Sequence, residues 1–148
     1  MFITMANLFA KKITVYPFSA FEGQLFYKGK PASHAKVTRT YDWDGTLNEE
    51  TIEADAEGRF AFESVSVETK ESLNQFVSSQ EIYVLYDDQK FEIWGAGKIA
   101  EEEFGEFGGK PENLSCELTD EPRAVQLPRG YVGTSCFWDA IKSEKGQT

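Results

Sequence analysis

The sequence predicts an all-β protein of mainly antiparallel strands, arranged as a β-sandwich with one short helix and long loops. Side chains at positions 35–40 alternate between two different faces, as they do in a strand. Two tight turns, at residues 28–31 and 55–58, adjoin stretches of this kind. The 148 residues are 41% hydrophobic and 14% aromatic, which is enough apolar material for the core of one domain.

The first half of the chain carries the clearest strand and turn patterns. Residues 13–16 predict a leading strand, and Pro17 follows where an edge or a strand break would tolerate it. Residues 55–58 predict the turn of a hairpin, because a strand with Thr and Ile precedes them and Phe60 and Phe62 point the same way afterwards. These units predict one side of an antiparallel sandwich.

The second half of the chain predicts further strands. Residues 81–86 and 91–94 flank a turn at 87–90, and the first of these strands is apolar on both faces, as a central strand would be. The other expected elements are a short helix or turn over residues 70–77 with Leu73, Phe76 and Val77 on one face, a strand at 114–118, a last strand at 131–138 and a frayed polar tail from Lys142.

The chain is predicted to form a single domain over residues 1–148. Its parts are a motif-bearing half at 13–68, additional strands at 80–138 and a flexible tail at 139–148.

The motifs of the first half resemble those of the transthyretin-like, or carboxypeptidase regulatory-like, sandwich domain. That family carries a Gly-x-Pro turn, an Ala-x-Val strand and a hairpin with Thr, Asp, Gly and two Phe. The matching positions here are Gly29 and Pro31, Ala35 and Val37, and Thr51, Asp55, Gly58, Phe60 and Phe62. The resemblance implies the sandwich fold and says little about function, because such sandwiches host many unrelated roles.

The net charge of −10 limits the class of partner. It argues against nucleic acid or an anionic membrane as a ligand and favours a basic partner. The alternative is that an acidic surface simply keeps a soluble protein dispersed. The charge is uneven, because residues 1–41 hold six basic side chains against one acid and residues 42–68 hold nine acids against one base.

The two cysteines, Cys116 and Cys136, do not form a Cys-x-x-Cys pair, and the single histidine cannot complete a zinc set with them. Two buried thiols acting as small hydrophobes are the preferred interpretation, which fits a reducing compartment. A disulfide stays open if the two strands are neighbours.

The start of the chain does not resemble a secretory signal, because Lys11 and Lys12 follow the mildly apolar residues 1–10 instead of preceding them. No window approaches the roughly 18 apolar residues of a membrane span. The expected location is the cytoplasm.

Catalytic patterns are poor, so the expectation is a protein that is not an enzyme and has no metal or cofactor. His34 is the sole histidine and no Gly-x-Ser-x-Gly elbow accompanies it. No phosphate-binding loop is present, and residues 42–45 lack the later ligands of a calcium loop. Carboxylates are so abundant that any pair of them says little about acid–base chemistry.

Two acidic segments that contain aromatic residues are candidates for binding a protein. Aromatic side chains can supply desolvated anchors while carboxylates steer and select the partner. The candidate residues are Asp42, Trp43, Asp44, Glu49, Glu50, Glu101, Glu102, Glu103, Phe104, Glu106 and Phe107. Of these, Trp43, Phe104 and Phe107 are the expected apolar anchors. The alternative is a solvated loop whose two Phe residues turn into the core.

The segment at 113–122, followed by a glycine-containing end at Cys136, resembles small bacterial sandwich proteins that act as immunity proteins for toxic effectors of the type VI secretion system. The resemblance implies a protein that neutralises one effector toxin, such as a nuclease with a basic surface, by occluding its active site. Its acidic loops would imitate phosphates or cover a basic cleft. A homodimer through edge strands stays open.

Two other functions stay open. One is an accessory or structural sandwich module of a surface assembly, for which export would be the signature. The other is a domain that binds a small ligand or carbohydrate through exposed Trp and Tyr.

Overall fold

Thirteen β-strands and one short 3-10 helix make up the regular structure of residues 11–72 and 74–141, which the computed structural model describes. The strands are β1 (Lys12–Phe18), β2 (Phe21–Tyr27), β3 (Lys30–Pro31), β4 (Lys36–Trp43), β5 (Thr46–Glu53), β6 (Arg59–Phe62), β7 (Val65–Lys70), β8 (Ser78–Tyr86), β9 (Gln89–Lys98), β10 (Ser115–Glu117), β11 (Arg123–Leu127), β12 (Gly130–Thr134) and β13 (Cys136–Phe137). The helix is Asp139–Ile141. The prediction of an all-β protein is confirmed.

The larger sheet has six strands in the order β11-β12-β9-β8-β4-β5, and all neighbours are antiparallel. Two of its hairpins share one kind of turn: Asp87 and Asp88 both take positive φ between β8 and β9, and Asp44 and Gly45 do so between β4 and β5. Positive φ at both central residues gives the turn a twist that matches the flanking strands. β8 lies between two partners, so the predicted central strand is confirmed.

The second sheet is built around β2, which pairs antiparallel with β3 and β6 and parallel with β10. β13 extends this sheet by pairing with β10. A separate two-stranded ribbon joins β1 to β7, and its register shifts between Val15 and Phe18. Pro17 lies at that irregularity, where a missing N–H donor is tolerated.

The core lies between the two sheets and is rich in aromatic rings. Phe21 packs against Trp94 with ring centroids 5.2 Å apart, and Phe107 lies 4.9 Å from Trp94. The same cluster includes residues of both halves of the chain, from Phe18 to Ile141. Because one cluster serves both halves, neither sheet buries its apolar face without the other.

The turn at residues 55–58 forms, but the predicted hairpin is wrong. β5 pairs with β4 in one sheet, whereas β6 pairs with β2 in the other, so the turn carries the chain between sheets. The Asp55 carboxylate accepts hydrogen bonds from the backbone N–H groups of Glu57 and Arg59. Gly58 has φ +77°, and a Cβ there would lie 2.5 Å from the Leu25 carbonyl oxygen.

Other predicted elements differ from the structure. Residues 71–72 and 74–77 form no helix, and Leu73 lies outside the described residues. The single strand predicted at 131–138 is instead two strands, β12 and β13, separated at Ser135. Strand β11 was not predicted. The predicted flexible tail begins instead with the short helix, where Ile141 is buried. Residues 1–10 and the tail from Lys142 lie outside the described residues.

Cys116 and Cys136 form a disulfide, with their Cα atoms 4.1 Å apart. The preferred interpretation of two free thiols is therefore wrong. The reason is that the two residues are direct partners in the β10–β13 pairing, which brings together segments 20 residues apart in sequence. The covalent link fixes the outer strand of the second sheet.

Replacing both cysteines with alanine should destabilise the protein by about 3 kcal/mol, because a cross-link over 20 residues restricts the unfolded chain. The Tm should fall by roughly 6–12 °C. Wild-type protein kept in reductant should show a similar fall. Two alkylatable thiols in the untreated native protein would contradict the assignment.

Glu117 clamps the turn between β2 and β3. Its carboxylate accepts hydrogen bonds from the backbone N–H groups of Lys28, Gly29 and Thr119, and from the Thr119 hydroxyl. Burial by itself would raise the pKa of Glu117, but these hydrogen bonds outweigh it and hold the pKa below its usual value. The ionised carboxylate therefore stabilises the folded state.

The Glu117→Gln variant tests this clamp through pH. A lowered pKa in the folded state gives stabilisation that is present above the unfolded pKa and disappears as pH falls through the folded pKa. The variant should be less stable than wild type by about 1 kcal/mol at pH 7, and the gap should close between about pH 5 and pH 3. Urea unfolding across this range measures it, with exposed Glu121→Gln as the control. A gap independent of pH would contradict the clamp.

Candidate functional site

The candidate residues lie on three elements of the structure. Asp42 and Trp43 end β4, and Asp44 begins the turn after it. Glu49 and Glu50 belong to β5. The remaining candidates, at 101–107, lie in the loop that follows β9.

Two of these segments meet at one end of the sandwich. Trp43, Asp44 and Glu101 line a cavity of about 260 Å³, which we call the end groove. Its walls also include Ile13 and Val15 of β1, Thr69 and Lys70 of β7, and Ser72, Asn74, Gln75, Phe76 and Val77 of the connection before β8. Residues far apart in sequence therefore form one surface.

The end groove has an aromatic floor. The partly buried ring of Trp43 lies 6.1 Å from the ring of Phe76, and Val77 beside it is exposed. Exposed carboxylates of Asp42, Asp44, Glu101 and Glu103 lie on the strands and loops that border this groove. An apolar floor with an acidic rim has the composition of a protein-binding site.

Phe107 cannot serve as an exposed anchor, so that assignment is wrong. It is only 3% exposed and packs edge-on against Trp138, with ring centroids 5.4 Å apart. Phe104 is half-buried and packs against the core. The alternative in which the two Phe residues turn into the core is therefore confirmed for Phe107 and describes Phe104 in part.

Glu106 is also buried, so its assignment to a partner surface is wrong. Its carboxylate accepts hydrogen bonds from the Ser19 N–H and hydroxyl and from the Gln80 amide, at 2.7–2.9 Å. Lys98 lies 3.9 Å away and donates to the carbonyl oxygens of Tyr16, Ala100 and Glu102. Burial lowers the pKa of Lys98, and the Glu106 carboxylate opposes that shift. This network anchors the loop that presents Glu101.

Glu50 has an internal role instead of a free surface position. It pairs at 2.7 Å with Arg39, which is buried on the inner face of β4. The Arg39 guanidinium lies 5.0 Å from the Phe18 ring and 4.6 Å from the Phe62 ring. Glu49 points to the opposite face and is exposed. Glu102 is exposed but pairs with Arg129 at 2.7 Å.

Phe76 and Val77 are the groove residues that the search for binding residues missed. The sequence pattern put both on one face of an expected short helix or turn, whereas Phe76 is partly buried against Trp43 and Val77 is exposed. Their signal was a pair of adjacent apolar residues at the end of a mostly polar connection.

A larger and more open groove of about 1050 Å³ runs beside β2, β5 and β6. His34 lies in it with positive φ and contacts Glu53 at 3.6 Å, and both side chains are mainly exposed. This agrees with the interpretation of His34 as a surface turn residue. Within residues 11–72 and 74–141, no three His, Cys, Asp or Glu side chains converge as metal ligands would.

The fold defines the class of protein first: it is an all-β, sandwich-like protein with antiparallel sheets. Residues 21–121 match a family described as a domain of unknown function, DUF6795, and the chain belongs to this family. The match covers about two thirds of the chain, including Trp43, Phe76 and Glu101. A comparison with curated proteins found no match. The described ranges contain no helix with the length and hydropathy to span a membrane.

Removing Glu50 should destabilise the fold, because it leaves the buried Arg39 charge without this carboxylate. We expect Glu50→Ala to cost about 2 kcal/mol, less than for a fully buried pair because the Glu50 side chain is 49% exposed. Its neighbour Glu49 is the matched control, and Glu49→Ala should stay within about 0.5 kcal/mol of wild type. Equal losses in urea unfolding would show that Glu50 is no more than a surface residue.

Proposed function

We propose that this protein is a non-catalytic immunity protein that binds and neutralises a cognate type VI effector toxin by occluding its active site. The toxin would have a basic surface, as a nuclease does. The observation that carries the proposal is the end groove, where Trp43 and Phe76 lie beside exposed carboxylates. Aromatic anchors within an acidic rim suit a basic cleft on another protein.

The interface we propose differs from the sequence-based set. Trp43, Phe76 and Val77 supply the apolar contact, and Asp44 and Glu101 supply the negative rim, with the exposed Asp42 and Glu103 on the adjoining strand and loop. Glu50, Glu106 and Phe107 serve inside the fold. Lys70 also lines the groove, and its positive charge offsets part of the negative charge there. A partner therefore meets the negative charge mainly at the carboxylates of the rim.

A non-catalytic role is supported by how the buried ionisable groups are used. Lys98 donates to three carbonyl oxygens, Glu106 accepts from Ser19 and Gln80, and Arg39 pairs with Glu50. These groups are engaged in holding the structure together, whereas acid–base catalysis needs a group that can reach substrate.

The compartment is a separate proposal. The sequence analysis places the protein in the cytoplasm, whereas the Cys116–Cys136 disulfide favours an oxidising compartment. Binding through an acidic rim works in either one. Cell fractionation, with the thiols trapped by alkylation at lysis, separates the two.

The disulfide also favours a second candidate function, an accessory sandwich module of a surface assembly. Such a protein would be exported and would keep the disulfide in place. It would accumulate outside the cytoplasm and give no protection against a toxin.

The proposed function requires a toxin-domain reading frame beside the gene for this protein, and binding to the domain expressed from that frame tests it. Trp43→Ala should weaken binding by about 2 kcal/mol or more, because truncation removes the central anchor. The matched control is Tyr86→Ala, a partly buried ring that contacts Tyr27 at the opposite end of the larger sheet. Isothermal titration gives the Kd. The affinity of the wild-type protein should fall as salt rises from about 50 to about 300 mM, because added salt shortens the distance over which charges attract each other.

Two results would contradict the proposal. One is unchanged protection of a toxin-expressing cell by the Trp43→Ala variant. The other is tight binding with no dependence on salt.

A further inference from the structure

Four exposed apolar side chains lie at one end of the outward face of the six-stranded sheet. Leu47, Val77, Ile99 and Tyr131 are 69%, 45%, 42% and 67% exposed, and we call them the outer patch. They come from β5, from the residue before β8, from the residue after β9 and from β12. A monomeric protein exposes single apolar residues routinely, but a group of them marks an interaction surface.

Strand register places these residues around one row of the sheet. Leu47 pairs with Asp42, Asp42 with Ser79, and Ser79 with Gly97, so the polar residues Asp42 and Ser79 lie between Leu47 and Gly97. Adjacent strands lie about 4.8 Å apart, so this row spans about 14 Å.

The other three members of the outer patch lie next to this row. Val77 and Ile99 flank the last β8–β9 pair, Ser78 and Lys98, whose side chains are buried. Tyr131 precedes Val132, which pairs with Ala96. Because side chains alternate along strands, all four residues face away from the core.

Two outward positions of β9 on this face, Gly95 and Gly97, are glycines, and we call them the floor. Gly95 pairs with Gly133, and Gly97 lies two residues further along β9. A Cβ added to Gly95 or Gly97 would have no atom within 4 Å, and neither residue has positive φ. Glycine weakens a strand interior and often marks a bulge or a close approach of another backbone. The register shift between β8 and β9 at Ile93 accounts for Gly95, whereas Gly97 lies beyond it with open space above, where another protein's backbone has room to approach.

The charge on this face is complementary to a basic partner. Asp42 lies in the same row as Leu47, and Glu49 and Glu81 lie in the next row. The lysines of this face, Lys36 and Lys90, lie in register with Leu85 at the far end of the strands. Arg129 borders Gly97 and Tyr131, but its charge is paired with Glu102 at 2.7 Å. A second copy of this chain would place acids against acids, which disfavours a homodimer through this face.

We infer that the outward face of the six-stranded sheet, with the outer patch as its apolar part and the glycines as its floor, extends the end groove into a larger docking surface for a basic protein partner. This inference rests on the proposed function, because the partner is the same toxin. Val77 lines the end groove and also belongs to the outer patch, so the two surfaces are continuous. The sheet face adds area that the groove lacks.

A side chain introduced on the floor tests the inference. Gly97→Gln places a polar side chain in open space, so the free protein should fold with an unchanged or higher Tm. Binding to the toxin domain that the proposed function requires should weaken at least tenfold, and Tyr131→Ala should also weaken it. The matched control is Ala61→Gln, an exposed position on β6 of the other sheet, which should bind as wild type does.

Each outcome decides something. If Gly97→Gln and Tyr131→Ala both bind as tightly as the wild-type protein, the sheet face is not part of the docking surface. The proposed function would still stand. No binding by wild-type protein would overturn both. A lower Tm of the free Gly97→Gln variant would mean that another part of this chain already covers Gly97. A dimer of wild-type protein that this variant abolishes, measured by sedimentation, would assign the face to a second copy. Either of these last two results would overturn the inference.

Discussion

The position of the candidate site depends on the buried carboxylate of Glu106. It joins the end of β1 through Ser19, the centre of the larger sheet through Gln80, and Lys98 at the end of β9. A buried charge is costly unless it is paired and hydrogen-bonded, so this network forms as a unit. These bonds therefore fix the position of the loop that carries Glu101.

The acids of this chain divide into two groups with different physical roles. Glu50, Glu106 and Glu117 accept hydrogen bonds from groups that the fold has to satisfy. Asp42 and Glu49 are exposed on the outward face of the larger sheet. Some exposed acids also hold the fold together, since Asp55 accepts hydrogen bonds from two backbone N–H groups and Glu102 pairs with Arg129. The net charge of −10 therefore overstates the negative charge that is available to a partner.

Local patterns predicted local structure well and distant pairing poorly. The hairpin from 81 to 94 was predicted because a two-residue turn and its two strands are neighbours in sequence. The turn at 55–58 is also tight and begins with Asp, yet its two strands join different sheets, because a turn does not determine which sheet each strand enters. Trp43 lies at the end groove beside Phe76, whereas nothing local distinguished Phe107, which is buried, from a loop anchor.

By itself the sequence determined the all-β class, the tight turns and an acidic, aromatic-rich composition, because alternation, turn residues and charge are properties of neighbouring positions. Tertiary structure alone decided that Cys116 bonds to Cys136, that Glu106 is buried and that Trp43 meets Phe76. It also decided that Leu47 and Tyr131 share one glycine-floored face. Each of these depends on strand order and register, which are set by how the two sheets bury their apolar faces together and not by any single segment.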